Sequence, residues 1–264
     1  MVNAAANMTS KVALLPGAVG LTHLRVYNTP APDGLHGGSP HVHFACTECY
    51  YVEKGHGRVQ TLSASGYQEW ELGPGGVVWF APGVIHRLIN VDGQLEILVL
   101  MQNGGLPEAG DFVLTMPPQI LQNAEEYLEV ASLSAHGEVF TNSTEAAERR
   151  RDLAVEGFAL LRRAYETSGP AALESFYRAA LCLVQPKLGA WQDVWRNGPQ
   201  AAAQTTGQYL EALRAGDVSH LLEGSAHSMA APGEERKLGM CGTLGTYLPE
   251  GVTVAATTNS TEQE

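Results

Sequence analysis

The sequence predicts a mainly β fold, an antiparallel sandwich or closed barrel of short strands, followed by an α-helical C-terminal region. Up to residue 115, short runs of alternating or β-branched residues are separated by turns rich in Gly, Pro, Asn and Asp. Beyond this point the repeat of the apolar residues changes from two to about 3.6, as in an α-helix. With 44% apolar residues among 264, the chain can bury a sizeable core.

Eight strands are predicted in a barrel that we place at residues 10–115. They are residues 11–15, 22–27, 50–53, 57–62, 68–72, 76–80, 86–90 and 95–101. The second strand carries His23 and Arg25 on one face, and we favour an exposed edge for this face over the barrel interior. Residues 28–40, rich in Pro, Gly and Asp, predict a loop long enough to lie over a barrel mouth.

The second part of the chain, residues 116–256, is predicted to be mainly helical. The expected helices are residues 144–166, 171–183 and 201–215. They could pack on the outside of the barrel, form a separate lobe or build a dimer interface. Trp191 and Trp195 are expected to pack between helices. A last strand is possible at residues 243–254.

Composition and charge exclude some classes of partner. The formal charge of −12 argues against nucleic acid, and Arg149, Arg150 and Arg151 are expected on a solvated helix face. No apolar run approaches the ~20 residues of a membrane span, and residues 1–11 lack the pattern of a signal peptide. We therefore expect a cytoplasmic protein without nucleic-acid or membrane partners, and disordered tails at 1–9 and 257–264.

A metal site is the strongest functional signal. His41 and His43 are two residues apart, so on a strand both would point to one face, and Glu48 can begin the inward set of the next strand. His86 follows a turn at Pro82-Gly83. Three imidazoles and one carboxylate suit a divalent first-row transition metal, so these four residues are the predicted ligands.

At these positions the sequence resembles the cupin family. The first cupin motif lies here at Gly38, His41, His43, Glu48 and Gly55. The second motif lies at Gly76, Pro82, Gly83, His86 and Asn90. The second motif has the family's intervals, whereas the gap before His41 is shorter than in the family pattern. The resemblance implies a cupin-type antiparallel jelly-roll β-barrel that holds one divalent metal ion inside, which could be Fe, Ni, Cu, Mn or Zn.

The resemblance also implies chemistry on a small-molecule substrate. Because four protein ligands leave two positions of an octahedral ion free, we expect an oxygen-using, dioxygenase-type oxidoreductase in which Glu48 is both ligand and catalytic base. A metal-dependent sugar isomerase or epimerase, or a lyase, is the alternative, and a non-catalytic ligand-binding cupin is a further one. A homo-oligomer, specifically a homodimer, is also expected. The candidate substrate-binding residues are Tyr50, Arg58, Phe80, Leu88 and Gln102.

Two further groups of side chains could bind metal but are not expected to. Cys46 and Cys49 form a C-x-x-C pair, yet Cys49 must point outward if Glu48 points inward, so free thiols are favoured. His220 and His227 are seven residues apart, and no carboxylate or thiol lies at ligand spacing from them.

Overall fold

The protein is described by a computed structural model that covers residues 15–133 and 144–247. The strands in these ranges are β1 (Gly20–Val26), β2 (His41–Val42), β3 (Glu48–Lys54), β4 (Gly57–Ser63), β5 (Gly66–Leu72), β6 (Val77–Phe80), β7 (Ile85–Asn90), β8 (Glu96–Met101), β9 (Val113–Leu114), β10 (Lys237–Leu238) and β11 (Gly242–Tyr247). The α-helices are α1 (Pro118–Leu121), α2 (Ala124–Ala131), α3 (Thr144–Ser168), α4 (Pro170–Val184), α5 (Leu188–Trp195) and α6 (Ala201–Arg214).

The strands form two antiparallel sheets that enclose one apolar core. One sheet has six strands in the order β10-β11-β1-β8-β3-β6, and the other has five in the order β5-β4-β7-β2-β9. The predicted fold class, an antiparallel β-sandwich or barrel followed by a helical region, is confirmed. The first predicted strand, at residues 11–15, falls outside the described residues apart from its last position, and so do both predicted disordered tails.

Alternation along β3 places side chains inside and outside the sandwich. Glu48, Tyr50 and Val52 are buried, whereas Tyr51 is 41% exposed. The carboxylate therefore enters the core because it shares the inward face with two large apolar side chains. This confirms the predicted inward set of the strand that begins at Glu48.

The burial along β1 shows where His23 and Arg25 point. Leu24 and Val26 are buried in the core, so the alternate residues lie on the outer face of the six-stranded sheet. His23 and Arg25 there contact the carboxylate of Glu96 at 3.2 and 3.6 Å. The expected outward face is confirmed, but the expected edge position is wrong, because β1 pairs with β11 on one side and with β8 on the other.

The chain returns to the six-stranded sheet near its C-terminal end. Strand β11 pairs with β1 in antiparallel register, with Leu244 opposite Leu24, and β10 pairs with β11. Residues 116–256 thus supply two sandwich strands, so a barrel bounded at residue 115 omits part of the sheet. The possible last strand at 243–254 is observed up to Tyr247, and its remainder lies outside the described residues.

Helices occupy the predicted ranges, and α3 packs on the outside of the sandwich. The Phe158 ring lies 6.4 Å from that of Tyr67 on β5, and the Arg162 guanidinium lies 3.7 Å above the Tyr67 ring. A Cβ at Gly157 would come within 1.9 Å of the Thr115 carbonyl oxygen, so this glycine permits the close approach. Of the three arrangements left open by the sequence, the first describes α3.

Two of the three successive arginines near the start of α3 are buried, contrary to the prediction from the sequence. Arg150 and Arg151 are only 5% and 1% exposed, so their predicted position on a solvated face is wrong. Arg151 donates to the carbonyl oxygens of Thr29 and Pro30 at 3.0 and 2.8 Å, and Arg150 donates to that of Gly239 at 2.6 Å. Both are buried because they satisfy carbonyls of segments that cover the sheet.

Across residues 15–133 and 144–247, none of the helices combines the length and the apolar character needed to cross a membrane.

Candidate metal centre

The four predicted ligands converge inside the sandwich. His41 in β2 lies opposite His86 in β7, His43 follows directly after β2, and Glu48 begins β3 in the facing sheet. All four are buried, and one ligand atom from each lies within 4.8 Å of the others. The two sheets therefore bring together residues that are up to 45 positions apart in the chain (86 − 41).

The distances within the group suit a shared ion. Glu48 Oε2 lies 2.8 Å from His86 Nε2 and 3.2 Å from His43 Nε2. The ring of His41 lies 4.3 Å from that of His86 and 5.1 Å from that of His43, centroid to centroid. One carboxylate oxygen thus faces two imidazole nitrogens, with the third imidazole at their side.

Backbone carbonyls fix which nitrogen of each imidazole is free. His41 Nδ1 lies 2.9 Å from the Ser39 carbonyl oxygen, and His86 Nδ1 lies 3.0 Å from that of Val84. His43 Nδ1 makes a short contact with the Asp111 carbonyl oxygen. Because a carbonyl only accepts, each Nδ1 must carry the proton, which leaves the Nε2 lone pairs for a metal.

Unpaired buried atoms support the fit of a metal ion. Glu48 Oε2 and His86 Nε2 are buried, and although they lie 2.8 Å apart neither has a hydrogen bond of acceptable geometry. Buried polar atoms without partners are rare and costly, and coordination would satisfy both. A set of three imidazole nitrogens and one carboxylate oxygen fits a first-row divalent ion.

The cluster also carries the charges that a cation requires. Burial lowers the pKa of His41 well below its ordinary 6.5, and the neighbouring His86 and His43 lower it further. Burial alone would raise the pKa of Glu48, but the charges of His86 and His43 keep it well below 4.5. Burial alone would lower the pKa of His43, but its contact with Glu48 raises it above 6.5 overall. The site therefore offers an ionised carboxylate beside a neutral His41.

Sequence reasoning missed Asp111, which is fully buried beside the site. Its carbonyl oxygen orients His43, and its carboxylate accepts from the backbone N–H groups of Phe44 at 2.7 Å and Ala45 at 3.1 Å. It thereby fixes the turn between two ligands. No local pattern could reveal it, because it lies 68 residues after His43.

Three of the predicted substrate-binding residues line the centre. Phe80 stacks on His86, with ring centroids 4.6 Å apart and planes at 8°, and Tyr50 lies edge-on to Phe80 at 5.3 Å. The Tyr50 hydroxyl is buried without a hydrogen-bond partner. Leu88 is fully buried on the same face of β7 as His86. Burial and the Glu48 charge raise the Tyr50 pKa well above 10, so its hydroxyl keeps its proton.

The structure does not bring Arg58 and Gln102 to the centre. Arg58 pairs with Ile89, three residues along the strands from the pair of Thr61 and His86. Because successive side chains alternate between the two faces, Arg58 lies on the outer face of the five-stranded sheet. There its guanidinium binds Glu69 at 2.8 Å. Gln102 follows the buried Met101 and is exposed. The positions predicted for these two side chains are corrected.

The other candidate ligands are dispersed. Cys46 is buried with its Sγ 3.8 Å from the Asn103 carbonyl oxygen, whereas Cys49 lies on the outer face opposite Trp79 of β6. The two thiols diverge as expected. His220 stacks on Tyr209 at 4.4 Å instead of meeting His227. In the described part of the chain, the group of His41, His43, Glu48 and His86 is the only such cluster that could hold a metal.

An opening of about 370 Å³ lies between the edges of the two sheets, beside the centre. Phe80, Val84 and Thr61 line it, and Phe80 also stacks on His86. Trp70 and Trp79 lie at its outer rim and are 49% and 68% exposed. Phe80 therefore borders both this opening and His86, whereas none of the four candidate ligands lines the opening.

The comparisons with known proteins agree with this site. Residues 30–101 match the family model Cupin_2, described as a cupin domain, and this range contains all four candidate ligands. No match was found among curated proteins.

Solved structures similar to part of the chain include three enzymes. TDP-fucose-3,4-ketoisomerase WlaRA from Campylobacter jejuni is 11% identical, with 35% of this chain and 64% of that one covered and a TM-score of 0.28. DMSP lyase DddQ from Ruegeria pomeroyi is 25% identical, with 37% and 42% covered and a TM-score of 0.27. Oxalate decarboxylase from Bacillus subtilis is 19% identical, with 43% and 29% covered and a TM-score of 0.32. The matched part thus spans less than two thirds of each of these proteins.

Proposed function

Since this chain is a cupin over residues 30–101, we propose that it is a metal-dependent enzyme that acts on a small, uncharged organic molecule inside the barrel. The observation that carries the proposal is the buried set of three imidazoles and one carboxylate, with each Nδ1 on a backbone carbonyl. When bound, a divalent ion would supply redox or Lewis-acid chemistry with positions open beyond the four protein ligands.

The charges around the centre favour an uncharged substrate. Four cationic side chains occur on the central strands, and each has its partner on an outer face or at the rim. Arg25 and Lys54 contact Glu96, Arg58 contacts Glu69, and Arg87 contacts Asp33. A phosphate or carboxylate group that does not itself bind the metal would be stabilised by such a cation beside the ligands.

Among metal-dependent reactions, we propose an oxygen-using, dioxygenase-type oxidation as the leading candidate. The apolar walls formed by Phe80 and Leu88 suit an aromatic or poorly polar substrate that has a hydroxyl group to present to the metal. Glu48 is held ionised beside the centre, so it can accept the proton of that hydroxyl. Dioxygen is the co-substrate that receives the electrons.

A second candidate is proton transfer without oxygen, as in an isomerase, epimerase or lyase. The unpaired, protonated hydroxyl of Tyr50 favours it, because this group can donate a hydrogen bond to a substrate carbonyl oxygen as negative charge develops there. Glu48 would again accept the proton. Both candidates use the same buried group of ligands and differ in the need for dioxygen.

The test is metal-dependent turnover with and without dioxygen. We expect the purified protein to retain iron, nickel or copper by elemental analysis and to consume oxygen, measured with an electrode, when given catechol or a flavonol. His86→Ala should lose metal and oxygen uptake. The matched control is His56→Ala, because the side chain of His56 is 69% exposed and pairs with Asp92 outside the sandwich.

Two outcomes would separate or overturn these proposals. Retention of zinc or manganese, with no oxygen uptake but conversion of a neutral hydroxy-ketone detected by NMR, favours the second candidate. If the wild-type protein retains no transition metal and binds none on titration, both candidates are wrong.

A further inference from the structure

The structure assigns a function to the helical region: Tyr177 of α4 and Trp191 of α5 are positioning residues that hold the two loops whose carbonyls orient His86 and His43. This inference rests on the proposed metal site. It concerns contacts that run from the helices to two loops, and from each loop to a ligand.

The first contact reaches the loop before β7. The Tyr177 hydroxyl donates to the Gly83 carbonyl oxygen at 2.6 Å. The Gly83 N–H in turn donates to the His43 carbonyl oxygen at 2.9 Å, and the next residue, Val84, accepts from His86 Nδ1 at 3.0 Å. Gly83 has a φ of +88°, a left-handed conformation that glycine adopts without the steric cost of a side chain. One side chain of α4 therefore anchors a turn that touches two ligands.

The second contact reaches the loop before β9. Trp191 Nε1 donates to the Ala109 carbonyl oxygen at 3.0 Å, and Lys187 Nζ donates to that of Gly110 at 3.3 Å. The next carbonyl along the chain belongs to Asp111 and accepts from His43 Nδ1. Three successive carbonyls are thus fixed, two by the helical region and the third by the ligand itself.

The third imidazole provides an internal comparison. His41 Nδ1 donates to the Ser39 carbonyl oxygen, and the Ser39 N–H donates to the Met240 carbonyl oxygen at 3.0 Å. This orienting carbonyl is held through the backbone of the segment between β10 and β11. The helical region therefore acts on His43 and His86, and the sheet segment acts on His41.

Such contacts matter to a metal because the acceptor on Nδ1 sets both the direction and the tautomer of the ligating ring. Loss of an outer-shell partner typically costs about 10- to 100-fold in metal affinity. Tyr177 and Trp191 act from further away, through the carbonyls of Gly83, one residue before Val84, and of Ala109, two residues before Asp111. We expect an effect near the lower end of that range, about tenfold, for either residue.

The chain offers a matched control for Tyr177. Tyr165 of α3 donates its hydroxyl to the Ala64 carbonyl oxygen at 3.0 Å, which is also a contact from a helix to a sandwich turn. Ala64 lies between β4 and β5 and has no hydrogen bond to any of the four ligands. Tyr165→Phe thus removes a similar hydrogen bond without acting on the centre.

The experiment is titration of the metal-free protein with Co²⁺, which reports affinity and, through its visible absorption, ligand geometry. Tyr177→Phe and Trp191→Phe should each weaken Co²⁺ binding about tenfold and alter the visible spectrum, while Tyr165→Phe should match the wild type. Thermal unfolding of each metal-free variant measures the purely structural cost. We expect similar losses for Tyr177→Phe and Tyr165→Phe.

Two results would overturn the inference. If the wild type binds Co²⁺ and both Tyr177→Phe and Trp191→Phe keep its affinity and spectrum, the helices do not position the ligands, although the metal site stands. If the wild type binds no Co²⁺, the proposed metal site fails and the inference fails with it. Trp191→Phe, which lies on another helix, keeps the test decisive if Tyr177→Phe does not fold.

Discussion

Two histidine–glutamate clusters lie on opposite faces of the six-stranded sheet, and strand β3 contributes to both. On the inner face, Glu48 Oε2 lies 3.2 Å from His43 and 2.8 Å from His86. On the outer face, His23 Nε2 lies 3.0 Å from Glu53 and 3.2 Å from Glu96. Because their distances are alike, distance alone does not separate a metal centre from a surface ion-pair network.

The second nitrogen of each imidazole separates them. In the outer cluster, His23 Nδ1 lies 2.7 Å from an Arg236 guanidinium nitrogen, which can only donate. His23 Nδ1 must therefore accept, and its Nε2 carries a proton toward the carboxylates. In the inner cluster each Nδ1 faces a carbonyl, so the Nε2 lone pairs are free for a metal. The partner of Nδ1 thus determines whether Nε2 is protonated or has a lone pair that can bind a metal.

Surrounding charge and burial add to this difference. Arg25 and Lys54 each contact Glu96 at 3.6 Å, so this outer carboxylate already has two cationic partners. In the inner cluster Glu48 contacts two imidazoles and, among the described residues, no Arg or Lys side chain, and the four side chains are buried. A divalent cation would complete the inner cluster, whereas the outer cluster is complete without one.

The largest expected effect is on metal binding. Removal of an inner ligand by His86→Ala should weaken Zn²⁺ or Co²⁺ affinity by more than about 100-fold, above the range of outer-shell substitutions. His23→Ala, the outer counterpart, should leave the affinity unchanged because its Nε2 is protonated. Competition with a chromophoric chelator measures both. Equal losses in the two variants would contradict the comparison.

Local patterns predicted the inner cluster well. The spacing of His41 and His43 and the inward position of Glu48 follow from the repeat of two residues along a strand, and a repeat needs no knowledge of the fold. The same reasoning placed His23 outside. Three of the six α-helices in the described residues, α3, α4 and α6, were predicted nearly to their ends because their apolar repeat and first-turn charges are equally local.

Side-chain positions were predicted wrongly, or missed, where contacts between residues distant in sequence determine them. Strand β4 is buried on most of its residues, so its sequence lacks the alternation that would have put Arg58 on the outer face. Arg150 and Arg151 are buried because carbonyls distant in sequence accept from them. Asp111 contacts the ligand His43 from 68 residues further along the chain, and Tyr177 contacts Gly83 from 94 residues further along, and no motif encodes such separations.

The next effect is the pH dependence of metal affinity. Burial alone would lower the pKa of His43, but Glu48 raises it above 6.5, and below that raised pKa the ring holds a proton that a metal must displace. Affinity should be full above the pKa and should fall about tenfold per pH unit below it. Protonation of His41 does not reduce the metal affinity in this pH range, because the pKa of His41 is lowered well below 6.5.

Titration with Zn²⁺ between pH 8 and 5.5 measures this dependence. We expect the decline to begin above pH 6.5, with one proton released per ion bound near neutral pH. If the affinity stays constant down to pH 6.5 and declines only below it, Glu48 does not raise the pKa of His43. The inner and outer clusters would then be electrostatically more alike than their surroundings indicate.

The smallest expected effect concerns the outer cluster itself. A double-mutant cycle with His23→Ala and Glu53→Ala, read by urea unfolding, should give a coupling free energy below about 1 kcal/mol, as for a partly exposed hydrogen bond. The Glu53 side chain is 36% exposed, and Glu96 remains as a second partner for His23, so solvent and the neighbour replace most of what is lost. A coupling of about 2 kcal/mol or more would mean that the outer pair is as well shielded from water as the inner one, and the distinction between the clusters would then rest on the imidazole nitrogens alone.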